Sequence, residues 1–579
     1  MMNRFTRFLV FPIAFLLAVA AFSQVAPVAR APAIPPATPI LAHNGMVVAQ
    51  ESRAARIGVE ILDRGGNAVD AAVAVGFALA VTYPRAGHIG GGGFMVIHLA
   101  KDRNLGNRDV AIDYRETAPA AATPTMFLDA QDNPDPKKSR DSALAVGVPG
   151  TVAGLALAQQ KYGSGKLSLA ELVAPAIDLA QKGFPVEDDT ADSLPHARDR
   201  LARWPSSAEI FLNGGEPLHE GERLFQFDLA ETLQAIAQDG PRAFYEGRIA
   251  AQIADAVRAA GGIMTADDLK NYRAIERPVV RGRYRGYDIV SMPPPSSGGV
   301  HLIEMLNVLE GYDLGKLGPS EQLLHYMIEA MQRAYADRAA YMGDPDAVKM
   351  PVAGLISKKY AAALRASIGE TATPAAGIRP GKPAEYEGRN TTHFSIIDRD
   401  GNAVTNTYTL NFSYGLGLVA DGTGVLLNNE LDDFTAKLGS ANAYGLIGFR
   451  ANLPGPDKRP LSSMTPTIVL KDGKPFLVTG SPGGSRIITA VLQVIVNAID
   501  FHMPIDQAVS APRLHNQWEP DATYVEPGFA PDVLEALERR GHRIVATEPH
   551  TSANSIEVTP DGYIGAADAR TRGALAAGY

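Results

Sequence analysis

Between Met46 and about Tyr360, hydrophobic residues recur mostly at helical spacing, and the polar residues between them carry helix-start signals. Asn67, with Asp70 three positions on, forms a capping pattern ahead of the apolar run Ala71 to Val81, which Pro84 stops. Ser168 with Glu171 and Asp228 with Glu231 repeat that signal before further periodic segments. Leu324, Met327, Ile328, Met331 and Tyr335 predict another helix across Glu321 to Tyr341. From about Ala366 to Asn390 the periodicity is lost in a stretch of Ala, Gly, Pro, Lys and Glu, which reads as an exposed, mobile connector.

Beyond the connector, alternation takes over. Thr391 to Ile397, the turn Asp400-Gly401 and Ala403 to Leu410 predict a hairpin. Thr465 to Leu470 and Pro475 to Thr479 flank the turn Lys471-Asp472-Gly473-Lys474, and Ser555 to Val558 and Tyr563 to Ala566 flank Pro560-Asp561-Gly562. Helices return at Ile487 to Ile499 and Ala530 to Arg540. Strands and helices on both sides of the connector predict one layered α/β domain to which both halves contribute.

The start of the chain belongs to none of this. Arg4 and Arg7, the apolar run Phe8 to Phe22 and small residues around Ala20 to Ser23 read as a secretory signal over residues 1–23. A membrane anchor is the competing reading, but the run is shorter than the ~20 residues that span a bilayer and contains Pro12. Residues 24–41, rich in Ala and Pro, read as a disordered linker. With 579 residues and 46% hydrophobic content, a sizeable core is available. The absence of cysteine excludes disulfides, thiolate metal sites and a cysteine nucleophile. A net charge of −9, without clustered Lys and Arg, argues against a nucleic-acid partner and for a small substrate.

Candidate chemistry concentrates after the connector. Thr391 opens a strand directly behind a loose segment, where cleavage would make it an N-terminal residue. Its α-amine, with a pKa of about 7.7–8.0, would then serve as its own base. Thr409 lies on the partner strand of the hairpin. Ser481-Pro482-Gly483-Gly484-Ser485 sits at a strand-to-helix turn, where backbone N–H groups can converge on an anion; a plain tight turn requiring glycine explains it too. Asn428 to Asp433 gathers acids and amides able to read an ammonium or a cation, or to form a solvated loop. Ser462-Ser463 offers hydroxyls, or equally an ordinary turn after Pro460, and Arg115 in its own segment reads as a surface ion-pair residue. His393 falls on the same strand face as Thr391 and is assigned to packing. No helical His-Glu-x-x-His spacing supports a zinc hydrolase.

Together these segments resemble the γ-glutamyltransferase (γ-glutamyl transpeptidase) family of N-terminal-nucleophile hydrolases, in a bacterial exported form. The resemblance runs from about Ala42 to Tyr579 through Gly65 to Ala72, Gly90 to Phe94, Thr391 to Ser395, Leu427 to Phe434, Pro460 to Met464 and Gly480 to Arg486. It implies a four-layer αββα sandwich, cleaved between Asn390 and Thr391 into a large subunit (42–390) and a small subunit (391–579) that form one domain. It assigns Thr391 as nucleophile, Thr409 as its support, and Gly483 and Gly484 as the oxyanion hole. Arg115, Ser462 and Ser463 match positions that bind the substrate α-carboxylate, and Asn411, Glu430 and Asp433 those near its α-amino group. Glu430 is glutamine in some members. Leu438 to Phe449 resembles a lid, with Tyr444 as its closing residue. The implied reaction is transfer of a γ-glutamyl group from glutathione or a related compound to water, an amino acid or a dipeptide, without cofactor or metal. Two alternatives stay open: a cephalosporin (glutaryl) acylase-like amidase, and a poorly maturing γ-glutamyl-binding protein.

Overall fold

Strand alternation divides the side chains of one sheet between two cores, and that division sets the architecture. The computed structural model describes residues 34–102, 106–380, 392–442 and 445–579. The signal segment, residues 24–33 of the linker, residues 381–391 and Tyr444 lie outside the described residues. Two expectations need correction: the end of the linker is not disordered, since Ile40–Ala42 pairs with Gly562–Ala566, and the first part of the connector is not exposed and mobile, since Ala375 and Ile378 are buried and Thr373 bonds Glu329. The described residues fall in one compact unit.

Two seven-stranded sheets, with neighbouring strands antiparallel, stack at the centre. From edge to edge the first sheet runs Leu575–Gly578, Gly45–Ala49, Thr392–Asp398, Ala403–Thr409, Gly92–Asp102, Gly106–Tyr114 and Ile275–Arg277. The second runs Ile40–Ala42, Gly562–Ala566, Ser555–Thr559, Lys474–Thr479, Thr467–Lys471, Tyr287–Ser291 and Val280–Tyr284. On the first sheet Val47, Met95, Ile97, Val110 and Ile112 point into a core shared with the helices Ser52–Asp63, Ala68–Thr82, Thr151–Tyr162, Leu169–Lys182 and Phe227–Asp239. The alternate residues Met46, Val48, Phe94, Val96 and Ala111 join Ile289, Val290, Ile468, Val469, Leu477 and Val478 of the second sheet. That second core is closed by the helices Gly298–Leu309, Glu321–Tyr341 and Arg486–Ile499. The result is the four-layer αββα sandwich, with period-two alternation sorting each strand's side chains between layers.

The cap signals are realised at two of three sites. Asn67 accepts from the Val69 and Asp70 amides while Asp70 bonds back to the Asn67 N–H, and Ser168 with Glu171 forms the same reciprocal pair. Asp228 is a correction: the helix starts at Phe227, so Asp228 lies inside its first turn and favours the helix through the dipole. The expectation of a mostly helical Met46 to Tyr360 also needs correction. Gly45–Ala49, Gly92–Asp102, Gly106–Tyr114, Ile275–Arg277, Val280–Tyr284 and Tyr287–Ser291 are strands of the central sheets. Several of these strands have apolar residues on both faces, so the polar alternation that marks a half-solvated strand is absent. The three hairpins stand within two residues of their expected bounds, at Thr392–Asp398/Ala403–Thr409, Thr467–Lys471/Lys474–Thr479 and Ser555–Thr559/Gly562–Ala566.

Candidate active site

The central hairpin of the first sheet anchors the site. Thr392, where the described strand begins, pairs with Tyr408, and Thr409 ends the partner strand opposite Gly92. Close backbone approach explains the glycine at 91: a Cβ there would lie 1.9 Å from the Thr409 carbonyl oxygen. The Thr409 Oγ1 accepts the Asn411 N–H at 2.9 Å, and Asn411 Nδ2 donates to the Asn429 carbonyl at 3.0 Å. Asn411 has φ +75°, a left-handed conformation that asparagine tolerates better than most residues.

Arg115 stands one residue past the strand Gly106–Tyr114 and is fully buried, not a surface ion-pair residue. Its guanidinium donates to Glu430 Oε1 and Asp433 Oδ2, to the Pro460 carbonyl at 3.1 Å and to the Leu461 carbonyl at 3.3 Å. Asn428 to Asp433, likewise, is a buried turn and not a solvated loop. Asn428 fastens it: its Nδ2 donates to the Gly90 and Gly147 carbonyls, and its Oδ1 accepts from the Gly147 and Glu430 amides. Three carboxyls, Glu116, Glu430 and Asp433, share one guanidinium in a dry setting. Burial raises all three pKa values, with Arg115 opposing the rise. Glu430 Oε2 and Asp433 Oδ1 have no hydrogen-bond partner among the described residues.

Ser462 and Ser463 follow directly from the Pro460-Leu461 carbonyls that Arg115 touches. Ser462 Oγ accepts the Met464 N–H at 3.2 Å, while Ser463 Oγ accepts from Arg338 at 2.7 Å. Arg338, buried on the helix Glu321–Tyr341, also donates to Ser297 Oγ at 2.6 Å and fixes this corner from behind. The sequence reading singled out the run from Asn428 but gave Asn428 no role of its own, and it missed Arg338, Ser297 and Glu116. Only Asn428 had a local signal, its place in the Asn-Asn-Glu-Leu-Asp-Asp run.

The glycine turn reaches the same hairpin from the second sheet. A Cβ on Gly480 would lie 2.3 Å from the His393 ring, and Thr405 Oγ1 donates to the Thr479 carbonyl at 3.0 Å. Gly483 has φ +126° and Gly484 φ +59°, so the tight-turn requirement for glycine is real. Ahead of the helix Arg486–Ile499, Gly483 lines a cleft of about 200 Å³ with Gln50, Arg85, Asp189, Thr551 and Ser552. Gln50 Oε1 accepts the His393 N–H at 3.1 Å, so the cleft borders the opening of the central strand. His393 is packed, bonded to Thr407 and Ser395, and burial holds its pKa down to about 3. Arg115, Glu430 and Asp433 are enclosed and do not line this cleft. Leu438 and Phe449, at the ends of the expected lid, are exposed, and Ala441 bridges Ile447.

The αββα sandwich of two stacked antiparallel sheets is the fold of the N-terminal-nucleophile hydrolases. The γ-glutamyltranspeptidase family model matches residues 54–578. The glutathione hydrolase proenzyme of Escherichia coli strain K12 is 51% identical over 98% of both chains. Among solved structures, the cephalosporin acylase from Bacillus halodurans superposes with a TM-score of 0.83 at 28% identity, covering 97% of this chain and 99% of that one. The γ-glutamyltranspeptidase of Helicobacter pylori is 48% identical, with a TM-score of 0.55 over 58% of this chain and 96% of its own. The chain belongs to the γ-glutamyltranspeptidase family, and its enzyme class is that of the γ-glutamyltransferases and glutathione hydrolases.

Proposed function

We propose that this chain is exported, cuts itself between Asn390 and Thr391, and then uses Thr391 as the nucleophile of γ-glutamyl transfer. The observation that carries this reading is the buried set Arg115, Glu430 and Asp433, one cation between two acids. A free α-amino acid end has the complementary pair of charges. Its carboxylate would take Arg115 with the Ser462 and Ser463 hydroxyls, and its ammonium would take Glu430 and Asp433 with the Asn411 amide.

These charges do not change during reaction, so the site holds and selects the γ-glutamyl group while the chemistry occurs at its far end. Thr391 Oγ attacks the γ-carbonyl carbon, its α-amine takes the hydroxyl proton, and the oxyanion meets the N–H groups of Gly483 and Gly484. The amine then returns the proton to the leaving nitrogen as the C–N bond breaks. The ester left on Thr391 passes to water, an amino acid or a dipeptide. Thr409 is oriented by its bond from Asn411 and supports the nucleophile. Tyr444, on the segment Leu438 to Phe449, closes over the bound donor and excludes water.

Thr391→Ala should yield an uncleaved chain without turnover of γ-glutamyl anilide. On the matured wild type, γ-glutamyl amides should be turned over well ahead of glutaryl and α-glutamyl amides. Cleaved, active Thr391→Ala protein would refute the nucleophile, and equal use of glutaryl amides would turn the reading toward an acylase.

A further inference from the structure

Apart from these residues, two histidines meet that the proposed reaction does not use. His325 and Glu329 stand one turn apart on the helix Glu321–Tyr341, and His542 follows the helix Pro531–Arg539. All three are buried. One donor atom from each, the two imidazole nitrogens and a carboxylate oxygen, lies within 4.8 Å of the others. We propose that this trio is a zinc-type metal site joining the part of the chain before Thr391 to the part after it.

The hydrogen bonding prepares the ligands. His325 Nε2 faces the Gly369 carbonyl at 2.9 Å, and a carbonyl only accepts, so the proton sits on Nε2. The lone pair of neutral His325 is thereby on Nδ1, which faces His542 Nε2 at 2.8 Å. A metal-bound imidazole is oriented by this arrangement, its other N–H donated to a backbone carbonyl. Glu329 is held in the same way: Oε1 accepts the Thr373 N–H at 2.8 Å, and Oε2 accepts from Thr373 Oγ1 at 2.7 Å and from Arg333 at 2.6 Å. Oε1, with one bond, keeps a lone pair for a cation.

Two imidazoles and one carboxylate suit zinc better than calcium or magnesium, which prefer all-oxygen shells. Nitrogens about 2.0–2.1 Å from zinc at a tetrahedral angle lie about 3.3 Å apart, so the pair must open by about 0.5 Å. His542 retains slight exposure, and Gly369 lines an open depression of about 940 Å³ with Glu321 and Arg540, which gives an ion a way in. Three protein donors leave a fourth position for water.

The test uses matured protein without a polyhistidine tag, stripped with chelator, equilibrated with Zn2+ and passed through gel filtration before metal analysis. One equivalent should stay with wild type and be lost from His325→Ala and from His542→Ala. Thr373→Val, which loosens Glu329 without removing a ligand, should weaken binding about 10–100-fold. No retained zinc in wild type, or a full equivalent in both histidine variants, would overturn the site, and unchanged affinity in Thr373→Val would overturn Glu329 as a ligand. Should the alanine variants not fold, Co2+ loading of wild type answers the question. A tetrahedral visible spectrum that stoichiometric Zn2+ displaces supports the site, whereas a weak octahedral spectrum overturns it.

Discussion

Arg115 reaches Glu430 and Asp433 across 315 and 318 residues of chain. Burying such a group is costly unless every charge is matched, and removing one partner of a buried pair leaves the other uncompensated. Truncation of a buried charged partner typically costs roughly 2–5 kcal/mol. Asp433→Asn should therefore lower kcat/KM for γ-glutamyl amides between about 30-fold and about 4,000-fold, mostly through KM, because the ammonium it is proposed to read is unchanged in the transition state. Turnover of glutaryl amides, which lack the α-amino group, should fall much less. Equal losses on both substrates would mean that Asp433 acts through the fold instead of reading the ammonium. The run Asn428 to Asp433 put both acids in view, but no local pattern tied Arg115 to them. Arg115 in its own segment looks like any surface arginine, and burial is what gives it a role.

Among the elements, the turn between the strand Lys474–Thr479 and the helix Arg486–Ile499 is tightly constrained. At Gly483 a Cβ would meet Thr551 Cγ2 at 2.7 Å and the His550 carbonyl oxygen at 2.8 Å, on top of its positive φ. Gly483→Ala must shift the backbone, and with it an N–H assigned to the oxyanion. We expect folded, cleaved protein whose kcat is down about 10²–10³-fold, the usual cost of losing one oxyanion donor. A variant with wild-type kcat would remove this turn from the reaction. The turn was legible in the sequence because glycine pairs punctuate a chain visibly. So were the hairpins, with their Asp-Gly turns, and the cap at Asn67, since each depends on residues a few positions apart. The strands Gly92–Asp102 and Gly106–Tyr114 were not, since burial on both faces removes the polar half of the alternation.

For the whole molecule, the proposed cut divides a chain whose two parts share both central sheets. In the first sheet, Thr392–Asp398 and Ala403–Thr409 lie between Gly45–Ala49 on one side and Gly92–Asp102 on the other, so strands from after position 391 are inserted between strands from before it. Both cores also mix side chains from the two parts. Cleavage should therefore give two bands on a denaturing gel without reductant, since the chain has no cysteine. Size-exclusion chromatography under native conditions should show a single species holding both pieces. Separation of the pieces without denaturant would contradict the interleaving. Among the described residues, no helix is long and apolar enough to cross a membrane.

The sequence by itself determined the local grammar: caps, turns, hairpins, a cysteine-free chain, and a threonine set where an N-terminus would give it a base. Those features depend on neighbours in the chain, so they survive being read in one dimension. Only the tertiary structure decided that Arg115 is buried between Glu430 and Asp433, that Arg338 holds Ser463, and that His325 meets His542 at 217 residues' separation. Desolvation sets these side chains apart from their like on the surface, and desolvation is a property of the layers packed around a residue, not of its neighbours in the chain.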